Sequence, residues 1–147
     1  MSLEERLQTD MKQAMRDKND VARDTLRMVL ADLRKKNAEL EKDLSPEEEV
    51  AVLVRAVKTR QDSFEQYEKA GRADLATRER GEIAVIQAYL PKALSEAETK
   101  SAVASLMSEL GVSSKKDMGT LMKAVMARHK GQVDGRAVQK ILGELLT

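Results

Sequence analysis

At 147 residues the chain has room for one ordinary domain or two small helical lobes, and an apolar content of 41% is too high for a disordered segment. The absence of cysteine excludes disulfides, thiolate nucleophiles and sulfur metal ligands, and suits a reducing cytoplasm. The net charge of +1 is unevenly spread: residues 1–91 hold 17 basic and 19 acidic side chains, residues 92–147 hold 9 and 6.

Aromatic residues make up only 2% of the chain and there are two prolines, so Leu, Val, Ala, Met and Ile carry the apolar content. That composition favours helix, because straight side chains lose little rotamer freedom there. The opening MSLEERLQTD lacks the apolar stretch of a signal peptide. The longest aliphatic run, VAVLV from Val50 to Val54, falls far short of the roughly 20 residues of a membrane span. A soluble cytoplasmic protein with no membrane partner is expected.

Leu3, Leu7, Met11, Ala14 and Met15 share a stripe and predict a first helix over residues 2–17. A second, capped by Asp20 and running to about Asp43, sets positions 26, 30, 33, 37, 40 and 44 at alternating steps of four and three. That is the seam of coiled-coil-like packing, with Asn37 either fixing its register or simply exposed. In LSPEEE, Ser45 caps a third helix, Pro46 suits its first position and Glu48 completes a capping box. The connection is short, so the second and third helices should fold back as an antiparallel hairpin. The third helix carries Val50, Leu53, Val57, Phe64 and Tyr67 and breaks at Gly71. The fourth, from about Asp74, buries Leu75, Ile83, Ile86 and Leu90, with Gly81 inside it. A glycine there costs about 1 kcal/mol relative to alanine.

Pro91 ends that helix and Ser95 with Glu98 forms a second capping box, so YLPKALS divides an N-terminal lobe, 1–91, from a C-terminal lobe, 92–147. A fifth helix over 96–110 should end at a left-handed Gly111 followed by Val112. Ser114 and Asp117 resemble another cap. Met118, Leu121, Met122, Val125 and Met126 then repeat along one buried face. The stripe reads as core, with a Met-rich docking groove as the lesser reading. This helix should stop at Gly131, and Asp134 should cap a last one carrying Val138, Ile141, Leu142 and Leu145. The glycines match no GxGxxG or GxxxxGK(S/T) phosphate loop, and no strand precedes them. Gly119, near a helix start, would let another helix or a ligand backbone come close. The expected fold is all-α, an N-terminal helical hairpin or bundle followed by a small three-helix lobe.

Chemistry is scarce. His129 is the only imidazole, and no motif supplies the nucleophile and orienting carboxylate that a catalytic histidine needs. His and Cys counts leave no metal site of the usual kind. The reading is a non-catalytic chain with no metal and no cofactor. Lys115–Lys140 holds seven basic side chains, Lys115, Lys116, Lys123, Arg128, Lys130, Arg136 and Lys140, against two acidic ones. Lys123, Arg128, Lys130, Arg136 and Lys140 avoid the apolar positions, as a solvated helix face would, and Lys115 and Lys116 lie at a helix N-terminus; equally the seven suit a surface that contacts phosphates without reading bases. The lobe has no aromatic residue to stack a base, so any contact would be with phosphate and shape. Helix starts near Ser114 and Asp134 would add N–H donors, with Asp134 itself opposing an anion.

VKTRQDSFEQYEKAGRADL (57–75) with EIAVIQAYLP (82–91) resembles the signature of the GatB/YqeY family, in particular its stand-alone YqeY-like members. KDMGTLMKAVM and KGQVDGRAVQKILGELL resemble the family's C-terminal stretch, so the likeness covers essentially the whole chain. The resemblance implies an all-helical fold of two lobes. It also implies kinship with the tail of the B subunit of glutamine-dependent Asp-tRNA/Glu-tRNA amidotransferase, a tail associated with tRNA binding. The expected partner is therefore tRNA or a tRNA-dependent enzyme. The family label of carbon–nitrogen ligase with glutamine as amide donor is one alternative, and a helical protein-interaction module is another. The family-like positions are Lys58, Arg60, Asp62, Ser63, Gly71, Arg72 and Asp74, then Lys116, Gly119, Met126, Gly131, Asp134 and Gly135. Lys58, Arg60 and Arg72 have no role as cap, helix end or core, which leaves ion pairing or a secondary RNA contact.

Overall fold

The computed structural model describes residues 1–147 and is all-helical. Packing divides it into two compact units, Met1–Leu90 (unit 1) and Pro91–Thr147 (unit 2).

Unit 1 is built from α1 (Leu3–Arg16), α2 (Asp20–Leu40), α3 (Pro46–Lys69) and α4 (Ala73–Gln87). Three of the four starts are capped by a side chain, whereas Arg72 before α4 makes no such cap. Ser2 and Glu5 form a capping box on α1, and Ser45 and Glu48 form one on α3 behind Pro46. The cap of α2 is Asn19, not Asp20: the Asn19 Oδ1 accepts the Ala22 N–H at 3.1 Å. Asp20 is the first helical residue, where its charge complements the helix dipole.

The seam predicted along α2 does not run to residue 44. Burial follows Thr25, Leu26, Val29, Leu30 and Leu33, and Leu40 is 40% exposed. The helix ends because Glu41 turns left-handed, and the half-buried Asn37 uses its Oδ1 to accept the Leu44 N–H at 3.2 Å. Asn37 thus holds the departing loop. The closest pairs are α1 with α2 and α3 with α4, and α3 packs less on α2 than on α4. The expected return of α3 along α2 is present, with Arg60 of α3 reaching Met28 of α2, but two further hairpins with shorter links, residues 17–19 and 70–72, pack more extensively. Leu7, Leu26, Val29, Leu30, Leu33, Leu53, Val57 and Ile86 fill the interior.

Unit 2 consists of α5 (Glu96–Leu110), a 3-10 turn (Lys115–Asp117), α6 (Met118–Arg128) and α7 (Gly135–Leu145). Ser95 and Glu98 form the capping box at the start of α5. At its end Gly111 has φ of 65°, and its N–H reaches Ser108 O while the Val112 N–H reaches Met107 O. This left-handed stop satisfies carbonyls that the helix leaves open. Helix α6 ends at Arg128, three residues before Gly131, whose φ of 80° makes the turn. The Leu94 N–H donates to Gln132 O at 2.8 Å, strapping the start of the unit to that turn. The three helices pack pairwise around Val103, Leu106, Leu121, Val125, Val138, Ile141, Leu142 and Leu146. Met118, Met122 and Met126 flank this core half-buried, so the centre of the predicted stripe is Leu121 and Val125.

Candidate nucleic-acid interface

The outward faces of α6 and α7 follow from helical geometry. At about 100° per residue, a side chain two positions from a buried one points to the opposite side. Lys123 stands two residues from both Leu121 and Val125, Arg136 two before Val138, and Lys140 midway between Val138 and Leu142. All seven predicted basic residues are exposed. Lys115 and Lys116 lie on the 3-10 turn before α6, and Lys130 lies in the turn between α6 and α7.

The seven are not equivalent. Arg128 Nη1 meets Glu109 Oε2 at 2.9 Å, pinning α6 to α5, and Arg136 is likewise not free. Lys115, Lys116, Lys123, Lys130 and Lys140 make no ion pair. The helix starts contribute less than anticipated. Ser114 Oγ accepts the Lys116 N–H and Asp134 Oδ1 accepts the Arg136 N–H, each at 3.3 Å, so the caps occupy donors that an anion would use. Gly119 does not mark a close approach: a Cβ added there meets nothing within 4 Å. His129 is half-buried at the end of α6, where its N–H donates to Val125 O.

In unit 1 the secondary candidates separate. Lys58 is exposed on α3, and Arg72 is exposed before α4, where its Nε lies 3.4 Å from Asp74 Oδ1. Arg60 is only 7% exposed. Its Nε donates to Glu82 Oε2 at 3.2 Å, its Nη1 to Ala56 O at 3.0 Å and its Nη2 to Met28 Sδ at 3.7 Å. The guanidinium faces protein on all three sides and joins α2, α3 and α4. A phosphate contact at Arg60 is replaced by this internal role.

Around the buried pair the charges continue to the surface. Arg78 lies 3.9 Å from both Glu82 Oε1 and Asp24 Oδ2, and Arg23 holds Asp24 at 2.9 Å. The hydrogen bond from Arg23 lowers the pKa of the Asp24 carboxyl, while burial, followed by the neighbouring Glu82 charge, raises that of Glu79. The sequence carried a signal for this cluster. Arg60 falls in phase with Leu53, Ala56 and Val57, and Glu82 with Ile86, so each charge occupies an inward position of its helix.

A family model described as Yqey-like protein matches residues 4–146. The chain belongs to the YqeY-like family. Among curated relatives, it is 35% identical over 107 residues to altered inheritance of mitochondria protein 41, mitochondrial, of Lachancea thermotolerans, covering 71% of this chain and 57% of that protein. The protein of the same name from Pyrenophora tritici-repentis is 29% identical over 144 residues, covering 96% of this chain and 79% of its own length. This YqeY-like chain thus spans little more than half of the first relative. The names place those relatives in mitochondria. In the chain itself, no helix is long and apolar enough to cross a membrane.

Proposed function

We propose that the chain is a cytoplasmic tRNA-binding accessory module, non-catalytic by itself, that contacts RNA phosphates through unit 2. The observation that carries this reading is the set of five exposed lysines without ion pairs, Lys115, Lys116, Lys123, Lys130 and Lys140, on the outer side of an aliphatic three-helix core. A lysine ammonium is a compact point charge that holds a phosphate without demanding planar geometry. With no aromatic platform in unit 2, binding rests on charge and shape. Such contacts release counterions, so affinity falls steeply with salt. Taking the duplex slope of roughly −0.9 per neutralised phosphate, about three to five contacts are expected.

The test is a pull-down from native lysate with and without ribonuclease, followed by a salt titration of binding to purified tRNA. The reading expects tRNA in the captured material, loss of associated proteins on ribonuclease treatment, and a log–log salt slope of about −2.7 to −4.5. Ribonuclease-resistant capture of protein with no tRNA retention would replace it with a protein-interaction module. Glutamine hydrolysis by the pure chain, abolished by one substitution, would replace it with a ligase.

A further inference from the structure

Met28 lies on α2, 51% exposed, yet its Sδ accepts a hydrogen bond from the Nη2 of the buried Arg60 at 3.7 Å. A thioether is a weak acceptor. The other two groups that Arg60 meets, the Glu82 carboxylate and the Ala56 carbonyl, are full-strength oxygen acceptors. The weakest partner of the buried cation is therefore also one that solvent reaches. We propose that Met28 is a peroxide-oxidation site whose sulfoxide is held by Arg60.

The geometry accommodates the added oxygen. A sulfoxide S–O bond of about 1.5 Å, a charge-assisted N–H···O distance of about 2.8 Å and an angle of about 115° at oxygen place sulfur about 3.7 Å from nitrogen. That matches the separation already present, so an oxygen bonded to Sδ can reach hydrogen-bond distance of Nη2 without the Sδ–Nη2 separation changing. In the reaction the sulfur lone pair attacks one oxygen of hydrogen peroxide and the O–O bond breaks. The departing hydroxide takes the remaining proton and leaves as water. Sulfur loses two electrons and the peroxide gains them, giving a sulfoxide that methionine sulfoxide reductases can reverse. The half-exposed side chain rotates clear of Arg60 to meet the oxidant, then returns its new oxygen to the guanidinium.

Sulfoxide formation usually disrupts the core it touches, because a polar group replaces an apolar one. Here the new dipole has a buried cation to bind and open water beside it, so oxidation strengthens the junction of α2 and α3. Met15 is the control: it is 53% exposed in the same unit, and its carbonyl accepts the Lys18 N–H while its sulfur faces no guanidinium donor such as Arg60.

The experiment treats the full chain briefly with hydrogen peroxide, follows each methionine by peptide mass mapping, and records thermal melts of the parent, Met28→Leu and Met15→Leu. We expect Met28 and Met15 to oxidise before the half-buried Met118, Met122 and Met126. The Tm of the parent and of Met15→Leu should rise by about 4 °C, the shift of a bond worth somewhat under 1 kcal/mol in a small domain. Met28→Leu should show no rise. Met28 remaining reduced while Met15 is fully oxidised would overturn the proposal, as would an unchanged or lower Tm in the parent. An equal rise in Met28→Leu would place the effect elsewhere and also overturn it.

Discussion

Unit 1 carries a guanidinium 7% exposed against a carboxylate 8% exposed, whereas in unit 2 every lysine and arginine side chain lies at the surface. The only buried polar residue of unit 2 is Thr99, whose hydroxyl returns to the Ser95 carbonyl one turn back, and Thr25 of unit 1 does the same to Val21. All three aromatic residues lie in unit 1, where Arg80 sits 4.9 Å from the centre of the Phe64 ring and Arg6 sits 5.2 Å from that of Tyr89. Basic residues of the same type thus stand in opposite environments. Phase decides between them: Arg60 falls on the apolar stripe of its helix, Lys123 directly opposite the stripe of its own.

The sharpest way to break this contrast is to remove one partner of the buried pair. Glu82→Ala removes the carboxylate bonded to the buried Arg60 and should cost about 3–5 kcal/mol in a guanidinium unfolding curve. Replacing both partners, Arg60→Met with Glu82→Leu, should recover most of that loss, because apolar residues of similar volume often substitute for a buried pair. A cost for Glu82→Ala within the range of an ordinary surface change would show that the pair does not hold unit 1 together.

The corresponding centre of unit 2 is apolar. Leu121→Ala should cost about 2–5 kcal/mol through lost burial and a residual cavity. The accompanying gain in amide exchange should be confined to α5, α6 and α7 and leave α3 and α4 protected. Equal loss of protection in both units would contradict the division of the chain into two compact units.

A smaller effect tests the tie between α1 and the end of unit 1. The Tyr89 hydroxyl donates to the Asp10 carboxylate. Burial first, and then that carboxylate, push the Tyr89 phenol above its usual range. An acid whose folded pKa is raised contributes stability that is intact below its unfolded pKa, near 10 for tyrosine, and lost as pH climbs toward the folded value. Stability should therefore decline above about pH 10. Tyr89→Phe should cost about 1 kcal/mol at neutral pH and flatten that alkaline slope. A slope unchanged by the substitution would assign it to other groups.

The smallest expected change is a gain. Gly119 has open space where a Cβ would stand and lies in the first turn of α6, so Gly119→Ala should stabilise unit 2 by about 0.5 kcal/mol. A loss in a thermal melt would show that the position serves something other than helix formation.

Much of the fold was legible because its punctuation is local. Ser45 with Glu48, Ser95 with Glu98, and the left-handed Gly71, Gly111 and Gly131 act through neighbours within a few residues, which sequence order displays directly. Helix pairing was less legible. A short link brings α3 back along α2 but does not say which neighbour it packs on most, and its preference for α4 depends on contacts such as Arg60 with Glu82, 22 residues apart. The α2 cap expected at Asp20 falls one residue earlier, on Asn19, because adjacent Asx residues offer the same chemistry. At the candidate interface, the exposure of Lys123, Arg128, Arg136 and Lys140 followed from helical periodicity, and that of Lys115, Lys116 and Lys130 from their place in turns. The engagement of Arg128 by Glu109 did not, since that pair joins two helices.

The central claim is that RNA is held by the unpaired lysines of unit 2 and not by the basic residues of unit 1. The most direct test compares tRNA affinity at low salt for Lys123→Glu/Lys130→Glu/Lys140→Glu with that for Lys58→Glu/Arg72→Glu. None of these residues is buried, so circular dichroism should be unchanged in both variants. The account predicts that the unit 2 variant loses tRNA binding while the unit 1 variant retains it within a few-fold. Parental affinity in the unit 2 variant, with binding lost in the unit 1 variant, would contradict it.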